Sequence, residues 1–305
     1  MKIVFFGNPI FAAKCLEHLY NFKNINISLV VTNKDKKMGR GLRFNSTDVK
    51  NIAKEKKLNL YEINNINNPT FIDKLKNIKP DLFIVVAYKI LPYSIYSIPK
   101  HGTINLHTSL LPQYIGASPI QYALLNGDSE TGLTTFYIND KIDQGELIHQ
   151  TLIPIDEHIT YNELLLKMMS KSKDSLKNTL QIIKNKKEPP ISCREKSFAP
   201  KINSTDFIIE WNENSKNIHN KIRALSYKGA YTYLNNKRIK FFNTFYIKEK
   251  HNYIYGTYIL RDKYLLIATN DGFLRAERIQ IEGKNKINAV NFYNNNNNNN
   301  NIFER

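Results

Sequence analysis

Cysteine is scarce in this 305-residue chain: Cys15 and Cys193 are the only two, and no CxxC pair occurs. That excludes a disulfide scaffold and a zinc knuckle, and no metal site is expected. Long apolar runs are missing too. The opening MKIVFFGNP is broken by Gly7 and Pro9 after a short apolar stretch, too short for a secretory signal core. The longest strongly apolar run, LFIVVA at 82–87, falls far below a membrane span. A soluble cytoplasmic protein with no membrane partner is expected. Glycine is lacking where a dinucleotide site would need it. The first loop, GNPIFAA, holds a single glycine, so NAD binding is not expected. Acidic charge is short as well: 27 acids face 44 bases, for a net +17. Such an excess favours polyanionic partners, nucleic acid above all. Part of it reflects a chain crowded with Lys, Asn, Ile and Tyr, the residues an AT-rich genome over-produces.

What is present suits a large core, with 42% hydrophobic residues over a length that allows two domains. Strands and helices alternate through the first half. Apolar runs at 3–6, 27–32, 60–63, 82–87, 103–107 and 132–138 read as strands. Helical spacing appears at 10–20, 49–57, 69–76, 118–125 and 160–184. That order argues for a parallel α/β sheet. The Pro189-Pro190 pair ends the long helix, and 189–204 has no clear period and reads as a linker. After a helix at 214–225 come short strands split by Asn-Asn and Asp-Gly turns, the pattern of a small barrel. The expected division is 1–188, a linker at 189–204, a barrel at 205–293, and a tail at 294–305. Eight consecutive asparagines, 294–301, mark that tail as low-complexity and disordered.

The stretch GTINLHTSLLPQYIGASP at 102–119 carries the chemistry. Side chains alternate along a strand, so Asn105 and His107 share one face at its end. In open α/β sheets, ligands collect outside the carboxyl ends of the strands. Asp143, in KIDQGEL, is the candidate third member, with Gly145 allowing a tight turn. A carboxylate beside an imidazole fixes its tautomer, and an amide can donate to a developing oxyanion. Such a set suits direct acyl transfer to an amine through a tetrahedral intermediate. Spacing alone favours a structural reading, since His at a strand end and Asp before Gly are more often fold residues.

Two basic regions stand out. Residues 33–57 hold nine Lys or Arg against three acids, with Lys34, Lys36, Lys37, Arg40 and Arg43 crowding the first part around Gly39 and Gly41. This is either a solvated face or a basic loop that grips RNA phosphates. In the barrel, Lys237, Arg238 and Lys240 follow Tyr231 and Tyr233. That combination suits RNA contact and is also ordinary barrel surface.

The run INLHTSLLPQYIGASPIQYALLNGDSETGLT, followed by IDQGEL, resembles the signature of the folate-dependent formyltransferases. GNPIFAA, GRGL at 39–42, PDLFIVVAYKILP at 80–92 and KIRALSYKGAYTYLNNKRIK at 221–240 extend the resemblance over nearly the whole chain except the tail. Within that family it is most similar to the branch acting on methionyl initiator tRNA. The resemblance implies a Rossmann-like N-terminal formyltransferase domain followed by a small OB-like β-barrel. It implies a catalytic trio of Asn105, His107 and Asp143. Ser109, Leu110, Leu111 and Pro112 would bind the folate, and the 33–57 region with its GRG would bind tRNA. The implied reaction moves the formyl group of 10-formyltetrahydrofolate, a co-substrate, to the α-amine of methionine on initiator tRNA, by a monomer. A relative acting on a small amine, such as an amino sugar nucleotide, would share the trio but not need the basic loop. A non-catalytic RNA-binding protein would not need the trio.

Three stretches depart from the family pattern. Asn8 replaces a Thr and Ile10 a common Asp in the first loop. AYKILP at 87–92 is one residue shorter than the frequent form, so the folate pocket wall is expected to differ. Ile115 stands where many relatives carry Arg, which removes one basic contact near the substrate path.

Overall fold

The computed structural model describes residues 1–38, 43–185, 194–296 and 301–304, with backbone alone at 36–38, 43–45 and 296. In chain order the first elements are β1 (Lys2–Gly7), α1 (Ile10–Tyr20), β2 (Asn26–Thr32), β3 (Lys36–Met38) and β4 (Arg43–Asn45). Then come α2 (Asp48–Glu55), β5 (Leu60–Glu62), α3 (Pro69–Ile78), β6 (Leu82–Val86), α4 (Tyr93–Tyr96) and β7 (Thr103–His107). They are followed by α5 (Pro119–Leu125), β8 (Glu130–Tyr137), β9 (Leu147–Pro154) and α6 (Tyr161–Asn185). The later elements are α7 (Ser215–Ala224), β10 (Ala230–Leu234), β11 (Lys237–Lys248), β12 (Tyr258–Arg261), β13 (Tyr264–Ala268), β14 (Gly272–Ile281), β15 (Lys286–Asn288) and α8 (Ala289–Asn296).

Internal contacts divide the chain into two units. The first comprises Met1–Gly116, Thr131–Ile153 and Leu165–Phe198; the second comprises Ala117–Glu130, Pro154–Leu164 and Ala199–Arg305.

The first unit is Rossmann-like. Its seven-stranded sheet runs β5-β2-β1-β6-β7-β8-β9. The strand sequences explain the order. β1 and β6 are apolar on both faces, with Ile3 to Phe6 and Leu82 to Val86 all buried, as central strands of a parallel sheet require. β1 pairs in parallel with both β2 and β6, and β6 with β7. The chain therefore leaves β1 in one direction and returns on its other side, which makes the β1/β6 edge a topological switch point. Gly7, Val86 and His107 all lie at the carboxyl edge.

The sheet is mixed rather than wholly parallel, because β8 runs antiparallel to β7. A parallel neighbour would need a full crossover back to the amino edge. The chain instead re-enters from the edge at which β7 ended. Helix ends follow local chemistry: the Thr47 side chain caps α2 at Lys50 N, and the Asn68 side chain caps α3 at Phe71 N with Pro69 in its first turn. On α1, Phe11, Cys15 and Leu19 share the buried face. Cys15 is fully buried, and burial pushes its thiol pKa up to about 12.

The second unit is an antiparallel sheet ordered β10-β11-β14-β13-β12, with β15 on β14. Its edge strands are β10 and β12, and residues 301–304 bond to both edges. Tyr258 N donates to Asn301 O at 2.8 Å and Phe303 N to Gly256 O at 3.0 Å; Glu304 N donates to Tyr233 O at 2.8 Å. Phe303 is buried among Trp211, Phe241, Tyr258 and Phe292. The expectation of a disordered tail therefore fails at its described residues. The asparagine run dominates the composition and hides the apolar Ile302-Phe303 pair that anchors this end.

Candidate active site

β7 ends in Asn105 and His107, on one face as its alternation requires. Asn105 pairs across the sheet with Val85 on β6 and Phe136 on β8. Its Oδ1 is buried and has no hydrogen-bond partner. His107 is nearly buried, at 7% exposure. Its Nε2 lies 2.9 Å from the Tyr114 carbonyl. A carbonyl can only accept, so Nε2 carries the proton. Nδ1 faces Asp143 Oδ2 at 3.8 Å, an ion-pair separation rather than a hydrogen bond. The sequence expectation that Asp143 fixes the tautomer is thus modified: the Tyr114 carbonyl orients the ring, and Asp143 supplies a nearby negative charge.

Asp143 adopts left-handed backbone at φ 51°, and its Oδ2 accepts from Gly116 N at 3.1 Å. Gly145, two residues on, is needed for close approach as well as for turning. A Cβ there would lie 1.6 Å from the Tyr137 carbonyl oxygen. No larger residue could hold this loop against β8.

The Ser109–Pro112 turn is fastened from within. The Ser109 hydroxyl donates to Gln113 O at 2.6 Å, and Leu110 and Leu111 are buried. The Thr134 hydroxyl donates to Ser109 O at 2.6 Å and accepts from Leu111 N at 3.0 Å. The Gln150 amide donates to Leu111 O at 2.8 Å. These side chains therefore shape a wall, and Ser109's hydroxyl proton is already engaged.

Sequence reasoning missed the stretch from Arg194 to Phe198. Within the expected linker, it pairs with residues 112–116. Ser197 N donates to Pro112 O at 3.2 Å, and Ile115 N donates to Ser197 O at 2.9 Å. Tyr114 N donates to the Ser197 hydroxyl at 2.9 Å. Arg194 donates to Gln113 Oε1 at 3.1 Å, and Lys196 to Gln144 Oε1 at 2.6 Å. Periodicity could not find this strap, because one strand's worth of irregular pairing leaves no pattern. Ile115, the departure at an Arg position, is buried at 6% and packs with Leu111 and Phe136. It fills the core beneath the turn.

At the other departure, Asn8 Oδ1 accepts from the Thr32 hydroxyl and Asn33 N, both at 3.0 Å. It ties the first loop to the end of β2, where the basic segment starts. Lys34 is exposed there. Lys36 and Lys37 lie on β3 and Arg43 on β4, a two-stranded antiparallel pair. Arg40 lies outside the described residues. Lys50 belongs to the base of this segment instead of its basic surface: it is buried at 6% and bonded to Asp35 and Glu62 at 2.7 and 2.8 Å. Those two carboxylates raise its pKa.

In the second unit, Tyr231 and Tyr233 meet edge to face, and the Arg238 guanidinium lies over Tyr231 at 4.5 Å. Lys286 sits 3.5 Å from the Phe242 ring centroid. Burial, followed by the charges of Arg278 and Lys240, holds its pKa low. The expected basic and aromatic mixture is therefore concentrated on this sheet. Among the described residues, no helix is long and apolar enough to cross a membrane.

Comparison with known proteins agrees with this architecture. The formyl transferase family model matches residues 1–180, and the model for the formyl transferase C-terminal domain matches 201–297. The methionyl-tRNA formyltransferase of Clostridioides difficile is 38% identical over 292 residues, covering 94% of both chains. That of Syntrophomonas wolfei is 36% identical over 298 residues, covering 96% of this chain and 95% of its own. The crystal structure of WlaRD, a sugar 3N-formyl transferase, shares the fold at a TM-score of 0.66 and 24% identity, over 93% of this chain and 99% of that one. With both of its domains matched and close relatives spanning nearly its full length, the chain belongs to the formyltransferase family, in the methionyl-tRNA formyltransferase branch.

Proposed function

We propose that the chain transfers the formyl group of 10-formyltetrahydrofolate to the α-amine of methionyl initiator tRNA, the step that prepares this tRNA for translation initiation. The observation that carries the proposal is the near-full-length match to proteins of that name, through both domains. In this reaction the amine attacks the formyl carbon, a tetrahedral centre forms, and its collapse releases tetrahydrofolate.

The residues divide that work by their chemistry. Asn105 stands on β7 two residues before His107, and its NH2 donates to the developing oxyanion. His107 gains the amine's proton at Nδ1, since Nε2 is already committed to Tyr114, and gives it to folate N10 as the C–N10 bond breaks. Asp143, 3.8 Å away, balances the imidazolium charge. Ser109, Leu110, Leu111 and Pro112 form the wall against which the folate lies. Lys34, Lys36, Lys37, Arg40 and Arg43 grip tRNA phosphates, and the basic face of 205–293 adds contacts. Residues 1–188 then carry the chemistry, and the protein acts as a cytoplasmic monomer.

The test is to mix the protein with 10-formyltetrahydrofolate and aminoacylated initiator tRNA and follow formyl-methionine. Transfer should appear and should fall steeply with salt, because phosphate contacts release counterions. Transfer to an amino sugar nucleotide instead of the tRNA would replace the proposal with a small-amine activity. Arg40→Ala should weaken tRNA use while folate binding stays intact.

A further inference from the structure

We infer that Ser197 is a positioning residue for His107, acting through the Tyr114 peptide; this rests on the catalytic reading of His107 above. The peptide that orients the imidazole does not hold itself. Tyr114 sits at φ 61°, a left-handed conformation that a buried aromatic residue keeps only when its surroundings fix it. Residues 112–116 form no regular element in which their backbone groups could satisfy one another.

Apart from Gln113, whose N–H donates to Leu110 O and whose carbonyl accepts from the Ser109 hydroxyl, the backbone bonds of this loop go to two places. Tyr114 O takes the His107 Nε2 proton, and Gly116 N donates to Asp143. Those two bonds face the catalytic pair. Pro112 O, Tyr114 N and Ile115 N all bond to Ser197: to its N–H, its side-chain hydroxyl and its carbonyl respectively. One serine thus grips the loop three times. Two of the three grips use backbone and survive Ser197→Ala. The third, Tyr114 N to Ser197 Oγ at 2.9 Å, is the side chain's own. It holds the residue whose carbonyl sets the ring. Without it, the Tyr114 N–H loses its acceptor, and the peptide can rotate its carbonyl away from Nε2.

The inference separates orientation from folding and from binding. Ser197 meets the proposed folate wall at Pro112 O through its backbone N–H, a bond that Ser197→Ala keeps. Loss of the hydroxyl should lower kcat and leave both KM values near their starting values, the pattern of an interaction that matters at the transition state. One neutral hydrogen bond sets the scale, so a roughly fivefold fall in kcat is expected for Ser197→Ala. Ser197→Thr keeps the hydroxyl and should restore most of the rate.

Activity alone would not distinguish this from a general loosening, so a second readout is required. Histidine-selective 15N spectra of the whole protein report which ring nitrogen of His107 carries hydrogen, with the signal assigned through a His107→Gln variant. The original protein and Ser197→Thr should show the Nε2–H form; Ser197→Ala should show a mixture of tautomers. If Ser197→Ala keeps both the full kcat and a single Nε2–H signal, the positioning role is wrong. It is also wrong if the lost rate is not recovered by Thr. The spectra need no substrate, so they test the positioning even if formyl transfer itself were absent. That result would overturn the proposed function and leave this contact standing or falling on its own.

Discussion

His107 gives its Nε2 proton to the Tyr114 carbonyl at 2.9 Å and turns Nδ1 toward Asp143 at 3.8 Å. The imidazole is oriented by a neutral group and faced by a charged one. The two partners therefore do different things, and removing them should have different effects.

Asp143→Ala takes away the charge that would balance an imidazolium, and Asn105→Ala takes away an amide with no other engagement for its oxygen. Each should lower kcat on the order of a hundredfold. Both variants should stay folded, with Asp143→Ala melting the lower of the two because it gives up the Gly116 N bond. Near-normal formylation by either, measured as formyl-methionine released per enzyme, would remove it from the mechanism.

Thr134 is buried at the centre of the Ser109–Pro112 turn. Thr134→Val keeps the shape but strands Ser109 O and Leu111 N. The expected cost is about 1–3 kcal/mol in stability, with folate affinity falling severalfold as the turn relaxes. Calorimetric titration with 5-formyltetrahydrofolate checks the second part. Unchanged affinity would mean that this turn is not the folate wall.

Phe303 lies against Trp211, with ring centroids 5.7 Å apart and planes 20° from parallel. Phe303→Ala opens a void in the aromatic cluster of the second unit, at a cost of roughly 3–5 kcal/mol. Trp211 is the single tryptophan of the chain, so its fluorescence reports unfolding of this unit directly. A denaturation midpoint equal to that of the original protein would show that residues 301–304 add nothing to stability.

His219 is buried, and that burial, with the nearby Arg223 charge, pulls its pKa down from 6.5 to about 4. Its Nδ1 faces the Thr244 hydroxyl at 3.0 Å, and its Nε2 faces His158 Nδ1 at 3.2 Å. The unfolded chain therefore binds this proton more readily than the folded one. Stability from the neutral ring is full above pH 6.5, declines as pH falls, and is lost by about pH 4. The drop is on the order of 3 kcal/mol at most. His219→Gln should flatten the dependence between those limits in urea titrations followed by Trp211. An equally steep dependence in the variant would assign the effect to other groups.

Much of the first unit could be read from sequence because its strands are apolar on both faces and its helices keep a clean period. β6 was legible for that reason. β9 was not: LIHQTLIP mixes polar and apolar residues without strict alternation, as suits a strand at the sheet edge. The His107 and Asp143 pair was legible through the family resemblance of its two motifs, because spacing alone left a structural reading open. The Tyr114 and Ser197 contributions were hidden. Tyr114 acts through its backbone, which any residue type supplies. Ser197 acts from a segment far along the chain, with no pattern to mark it. Ile115 was read only as a missing cation; burial shows it is a core residue, in a place where a charge would go unsolvated.

The burial of Cys15 turns the scarcity of sulfur into a clock. Thiol reagents attack the thiolate, and a buried thiol raised to about 12 presents almost none at neutral pH. The other cysteine, Cys193, lies outside the described residues. Cys15 becomes reactive only when α1 lifts from its sheet. In a Cys193→Ser variant, pulsed alkylation read by mass would give an adduct only in molecules that had opened, and the rate of its appearance would time the breathing of the first unit.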